Sequence, residues 1–108
     1  MSLIPLTSYQ FNHNSKIYFS KYELNLILEC YSFGVSTGEW KDYSINFDKH
    51  SAKFCFYKNT SSFPEYSLIK KNVKKPYTLK FKGKLQISKN NINEIIFFLK
   101  RKNIKILQ

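Results

Sequence analysis

The sequence predicts a single α+β domain: an N-terminal helix, an antiparallel meander of about four strands and a C-terminal helix. Three observations carry that expectation. Ser20-Lys21-Tyr22-Glu23 has the serine and glutamate spacing of a helix capping box. Two runs of alternating apolar and polar residues, Tyr43–Phe47 and Ala52–Tyr57, flank the turn sequence Asp48-Lys49-His50-Ser51. Ile92, Ile95, Ile96 and Leu99 repeat at i, i+3, i+4 and i+7 behind Asn91, an N-cap residue with Glu94 three positions on.

Residues 1–19 show no clear period and read as an N-terminal arm, with a short strand around Leu6–Phe11; the domain proper takes residues 20–108. The first helix is expected to run to about Val35, with Gly38 as a left-handed stop. At about 100° per residue, Leu24, Ile27, Leu28, Tyr31 and Val35 form one apolar stripe, the expected core face. Tyr22, Leu26, Cys30 and Phe33 gather on the opposite side, so this helix should be covered on two sides. Either the arm packs over the second face through Leu3, Ile4, Leu6, Tyr9 and Phe11, or that face is the contact surface of a homodimer or protein partner.

After the first hairpin, Lys58–Pro64 reads as a loop. Tyr66–Lys70 and Tyr77–Lys82 read as two further strands joined by the basic segment Lys71–Pro76. Gly83 marks a turn or bulge before Leu85–Ile87. Lys100-Arg101-Lys102 is expected in the last turn of the second helix, and Ile104 with Ile106 as a short closing strand.

A chain of 108 residues that is 43% hydrophobic and 18% aromatic can bury one core without disulfide or metal staples. Its longest apolar run, Ile95–Leu99, is far too short to span a membrane, and the start lacks the pattern of a secretory signal. A cytoplasmic protein without membrane insertion is expected. The net charge of +11 is unevenly placed. Residues 1–65 hold six lysines and six acids, whereas residues 66–108 hold eleven lysines and Arg101 against Glu94. Such asymmetry points to a polyanionic partner. The ratio of 17 lysines to one arginine, with ten asparagines, also fits an AT-rich genome.

Motifs for chemistry are missing. Three glycines cannot build a phosphate cradle, and there is no H-E-x-x-H, C-x-x-C or G-x-S-x-G. Neither a catalytic nor a metal site is expected, and no cofactor. The nearest approach to a nucleophile is Cys55 with His50 across the first hairpin, set beside the plainer reading of a structural cysteine and a turn histidine. A small enzyme would have to gather at least two of Glu39, Asp42, His50 and Cys55 in one pocket.

Two places remain as candidate binding sites. Glu39-Trp40-Lys41-Asp42 joins the first helix to the first strand. Trp40 either plugs that junction, with Glu39 and Asp42 pairing with lysines or capping amides, or forms a polar-aromatic binding spot. The second place is basic: Lys70, Lys71, Lys74, Lys75, Lys80, Lys82 and Lys84 surround Tyr66 and Tyr77. Thr78, Lys80 and Lys82 should share one strand face and Tyr77, Leu79 and Phe81 the other. Lysines there could contact phosphates while tyrosines stack on bases, and lysine on an edge strand also deters aggregation.

Tyr22-Glu23-Leu24, Gly38-Glu39-Trp40-Lys41-Asp42-Tyr43, Ile45, Asp48, Ala52, Phe54 and Pro64-Glu65-Tyr66 together resemble an alphaproteobacterial family of uncharacterised small proteins, domain of unknown function 2794. Lys41 stands where that family typically has arginine. The resemblance covers roughly residues 20–107 and implies a bacterial, cytoplasmic protein; it implies no activity. The functional expectation is therefore a non-enzymatic module whose basic surface binds nucleic acid, RNA before a specific DNA site. The alternative is a protein-interaction or homodimeric adaptor using the Tyr22, Leu26, Cys30 and Phe33 face.

Overall fold

The computed structural model describes residues 16–59 and 63–107, and side chains as far as Arg101. The first fifteen residues of the arm, with the strand expected at Leu6–Phe11, lie outside the described residues. Helix α1 spans Lys21–Ser36, strands β1 to β5 span Asp42–Phe47, Ser51–Tyr57, Tyr66–Lys71, Tyr77–Phe81 and Lys84–Lys89, and helix α2 spans Ile92–Leu107. The strands form one antiparallel sheet in the order β1-β2-β3-β4-β5, which confirms the α+β class with five strands rather than about four. The extra strand exists because Lys82 and Gly83 both take positive φ, 50° and 84°. Two such residues reverse the chain at once, so β4 and β5 close as a hairpin.

The capping box forms as the sequence requires: the Glu23 amide donates to Ser20 Oγ at 3.1 Å, and the Ser20 amide donates to Glu23 Oε1 at 2.7 Å. At the other end Gly38, at φ 81°, turns the chain out of the helix. The buried line of α1 is not the expected one. It runs through Glu23, Ile27, Cys30 and Gly34, roughly a quarter-turn from the predicted stripe. Leu24, Leu28 and Tyr31 are only half-buried and Val35 is 44% exposed. An apolar count misses this line because Glu23 is buried by its partners and Gly34 by its lack of a side chain.

Both helices cover one face of the sheet, and their side chains join a single core. Register places Phe54, Leu68, Leu79 and Ile87 in one row on that face, with Phe56, Tyr66 and Phe81 in the next. Ile27 and Cys30 of α1 and Ile92, Ile95, Ile96 and Leu99 of α2 close over them. The opposite face carries Ser44, Lys53, Cys55, Ser67, Thr78 and Lys80, laced by hydroxyl contacts such as Ser44 to Tyr57 at 3.1 Å and Thr78 to Ser88 at 3.2 Å. α2 continues to Leu107, so the closing strand expected at Ile104 and Ile106 is helix, and Lys100-Arg101-Lys102 lies mid-helix. Ile106 stands seven residues beyond Leu99 and so continues the helical period, which a two-residue alternation cannot oppose.

Candidate nucleic-acid interface

An antiparallel meander puts alternate turns at the same end. The β1–β2 turn and the β3–β4 connection share one end of this sheet with the starts of both helices. Two contacts fix α1 there: the Ile17 amide donates to the Asp48 carbonyl at 2.7 Å, and Lys70 Nζ donates to the Tyr18 carbonyl at 2.9 Å. Lys16, Lys21, Lys49, Lys70, Lys71, Lys74, Lys75 and Lys89 therefore gather at one end, with Glu23, Asp48 and Glu94 as the acids among them. Both helix dipoles add their positive ends to it. The opposite end interleaves Lys41, Lys58, Lys82 and Lys84 with Glu39, Asp42 and Glu65.

Not every lysine at the basic end is available. Lys70 pairs with Glu23 Oε1 at 2.8 Å, and the Tyr77 hydroxyl donates to Glu23 Oε2. Burial by itself would raise the Glu23 carboxyl, but Lys70, Tyr77 and the Ser20 amide together hold it below its ordinary value. Burial, then the Glu23 carboxylate, pushes the Tyr77 phenol up to about 12. Lys70 and Tyr77 thus face the helix layer and serve the α1 cap, not the candidate surface; their cross-strand pairing places both opposite Glu23. Lys71, Lys74 and Lys75 remain exposed, as does Lys49 in the neighbouring turn. Asp48 is occupied within that turn, where its Oδ1 accepts from the His50 and Ser51 amides.

The seven lysines singled out in sequence do not form one face. Lys80 lies on the helix-free side of the sheet, while Lys82 and Lys84 sit at the turn on the far end. Lys82 leaves the strand alternation because the turn begins there, and its ammonium lies 5.3 Å over the Phe81 ring. Of the tyrosines expected to stack, Tyr66 is buried. Two others stand at the basic end instead: Tyr18 is 51% exposed and Tyr22 60%. Tyr22 exchanges hydrogen bonds with Asn93 at the start of α2. Tyr18 lies in the arm, where no periodicity marks an exposed ring, so the sequence held no signal for it.

The second face of α1 is also redistributed. Cys30 is fully buried in the core, which corrects its place in the expected interface, and its thiol is pushed up to about 12 by that burial. Leu26 is half-buried against the core, and α2 packs beside α1. Tyr22 and Phe33 stay exposed.

At the far end Trp40 plugs the junction. It is 1% exposed, 4.5 Å from the Phe56 ring centroid, and lies over Gly34 so closely that a Cβ there would meet its ring at 2.1 Å. The glycine is what lets the tryptophan in. Lys41 and Asp42 are exposed, and Asp42 Oδ1 accepts from the Tyr43 amide at 2.8 Å. Tyr66 joins this junction, its phenol raised to about 12 by burial and by Glu65 and Glu39. The residues weighed for catalysis are spread out: Glu39 and Asp42 here, His50 in the turn at the basic end, and Cys55 mid-sheet beside Ser67 at 3.6 Å. Among the described residues no three His, Cys, Asp or Glu side chains are grouped as metal ligands, and no helix is long and apolar enough to cross a membrane.

Fold and surface together define a two-layer α+β domain with one strongly basic end and one tryptophan-plugged end. A family model described as protein of unknown function, DUF2794, matches residues 17–89, more than half of the chain, and the chain belongs to that family. The match ends with β5, so α2 lies beyond it and the extent expected from the resemblance is shortened. No curated protein and no solved structure matches the chain.

Proposed function

We propose that this protein is a non-enzymatic module that binds nucleic acid, single-stranded RNA in preference to duplex DNA, through its basic end. The observation that carries this reading is the convergence of Lys49, Lys71, Lys74 and Lys75 with the positive starts of two helices. Phosphates gain there from a net positive charge, since the lysines gathered at this end outnumber Glu23, Asp48 and Glu94. Exposed Tyr18 and Tyr22 favour unpaired bases, which can stack on an aromatic ring, whereas bases in a duplex cannot. Among the described residues the surface is made of turns and helix starts, with no helix laid out along it to enter a major groove.

The test is a binding titration of a short single-stranded RNA and a duplex DNA over a range of salt concentrations. Affinity for RNA should fall steeply with salt, and replacing Lys71, Lys74 and Lys75 by Gln should flatten the log–log slope by about 2, or about 0.7 for each lost contact on a single strand. Absence of binding at low salt, or binding indifferent to salt, would reject the reading. An adaptor role through α1 has less to work with, since of its four residues Tyr22 and Phe33 alone are exposed.

A further inference from the structure

β5 is an edge strand that pairs with β4 on one side and, among the described residues, with no strand on the other. Lys84, Leu85 and Gln86 are exposed along it, Leu85 to 63%. Beside this edge an open groove of about 490 Å³ runs between β5 and α2, lined by Ile87 and Lys89 from the strand and by Phe97 and Arg101 among others from the helix. Phe97 is 63% exposed although it stands mid-helix, and the Arg101 guanidinium lies 5.7 Å over its ring. Among the described residues an unpaired strand backbone and an open aromatic groove thus lie side by side, the two components that strand addition uses.

We propose that β5 and the adjoining groove receive an extended acidic segment of a partner protein as a sixth strand. Its backbone pairs with β5, and its alternate apolar side chains lie against Ile87 and Phe97. Charge selects the occupant: Lys89 and Arg101 line the groove against one carboxylate, Glu94, which pairs with Lys89 at 3.7 Å, and Lys84 adds a further cation at the start of β5. The same lysines repel basic strands and resist burial under apolar ones, which is how edge strands avoid indiscriminate pairing. A second copy of this chain fits poorly in the register that pairs the whole of β5. Antiparallel β5–β5 pairing about an axis between Gln86 and Ile87 sets Lys84 of one copy opposite Lys89 of the other, a destabilising like-charge pair.

The experiment is fluorescence anisotropy with a dye-labelled heptapeptide alternating glutamate and valine, titrated with the full chain at physiological salt. Binding should weaken about tenfold in Phe97→Ser, which removes the apolar anchor without adding charge. It should vanish when alternate peptide amides are N-methylated, because the strand pairing is then lost. Phe97 is exposed, so Phe97→Ser should keep its thermal midpoint, measured in parallel. No binding, equal binding of methylated and unmethylated peptides, or indifference to Phe97→Ser overturns the proposal, the last two because charge attraction then explains the affinity. Sedimentation that shows a dimer dissociated by Phe97→Ser assigns the groove to a second copy and overturns it equally.

Discussion

The two ends of the sheet solve the same problem with different physics. Each must attach α1 to the strands. At the basic end the attachment is polar: Glu23 holds Lys70, Tyr77 and the Ser20 amide at once. At the far end it is dry packing, with Trp40 pressed between Gly34 and Phe56. The polar clasp depends on protonation and leaves the surrounding surface free to carry charge. The tryptophan plug depends on shape and should be indifferent to pH. The proposed binding surface thus lies at the end whose attachment is electrostatic, and the shape-dependent packing lies at the other.

Trp40→Ala should break this comparison most severely, costing about 3–5 kcal/mol in urea unfolding because a fully buried ring is removed. Gly34→Ala comes next, at about 2–3 kcal/mol, since the new methyl collides with that ring. Combining the two sharpens the point: in the Trp40→Ala background Gly34→Ala should cost nothing, and should recover up to about 1 kcal/mol of helix propensity. An additive double mutant would show that the glycine is not there for the tryptophan.

Glu23→Gln should cost less, about 1–2 kcal/mol, because the amide still caps Ser20 but no longer holds Lys70 as an ion pair. Its signature is in pH. The folded Glu23 carboxyl lies below its unfolded value, so its contribution is complete above the ordinary carboxylate range and is lost as pH falls through the lower folded value. Unfolding followed from about pH 7 to about pH 3 should therefore show a smaller acid loss in Glu23→Gln than in the parent. Equal losses would deny Glu23 this role. The smallest effect belongs to Lys71→Gln, Lys74→Gln and Lys75→Gln, each within about 0.5 kcal/mol for exposed lysines. These changes should alter binding while sparing stability.

Much of the architecture was legible because its signals are local. The capping box, the β1–β2 alternation and the α2 period each involve residues within a few positions of one another, and all three elements form where they were expected. The fifth strand was half-legible: Gly83 announced a turn, but nothing local told Lys82 that it too would adopt positive φ. The candidate surface was read less well. Lys71, Lys74 and Lys75 were recognised and are exposed, but Lys49 belongs with them through a turn that counts as remote along the chain. Lys70 and Tyr77 looked like surface residues because their partner lies 47 and 54 positions away.

What the sequence determined by itself is the α+β class, the starts of both helices, the first hairpin and the excess of positive charge beyond residue 65. Each follows from short-range hydrogen bonding, side-chain alternation or composition. Only the tertiary structure decided which side of α1 is buried, which lysines are free and which end of the sheet is basic. Those outcomes depend on Glu23 meeting Lys70 and on Gly34 admitting Trp40, contacts that exist only once the sheet and helices have been brought together.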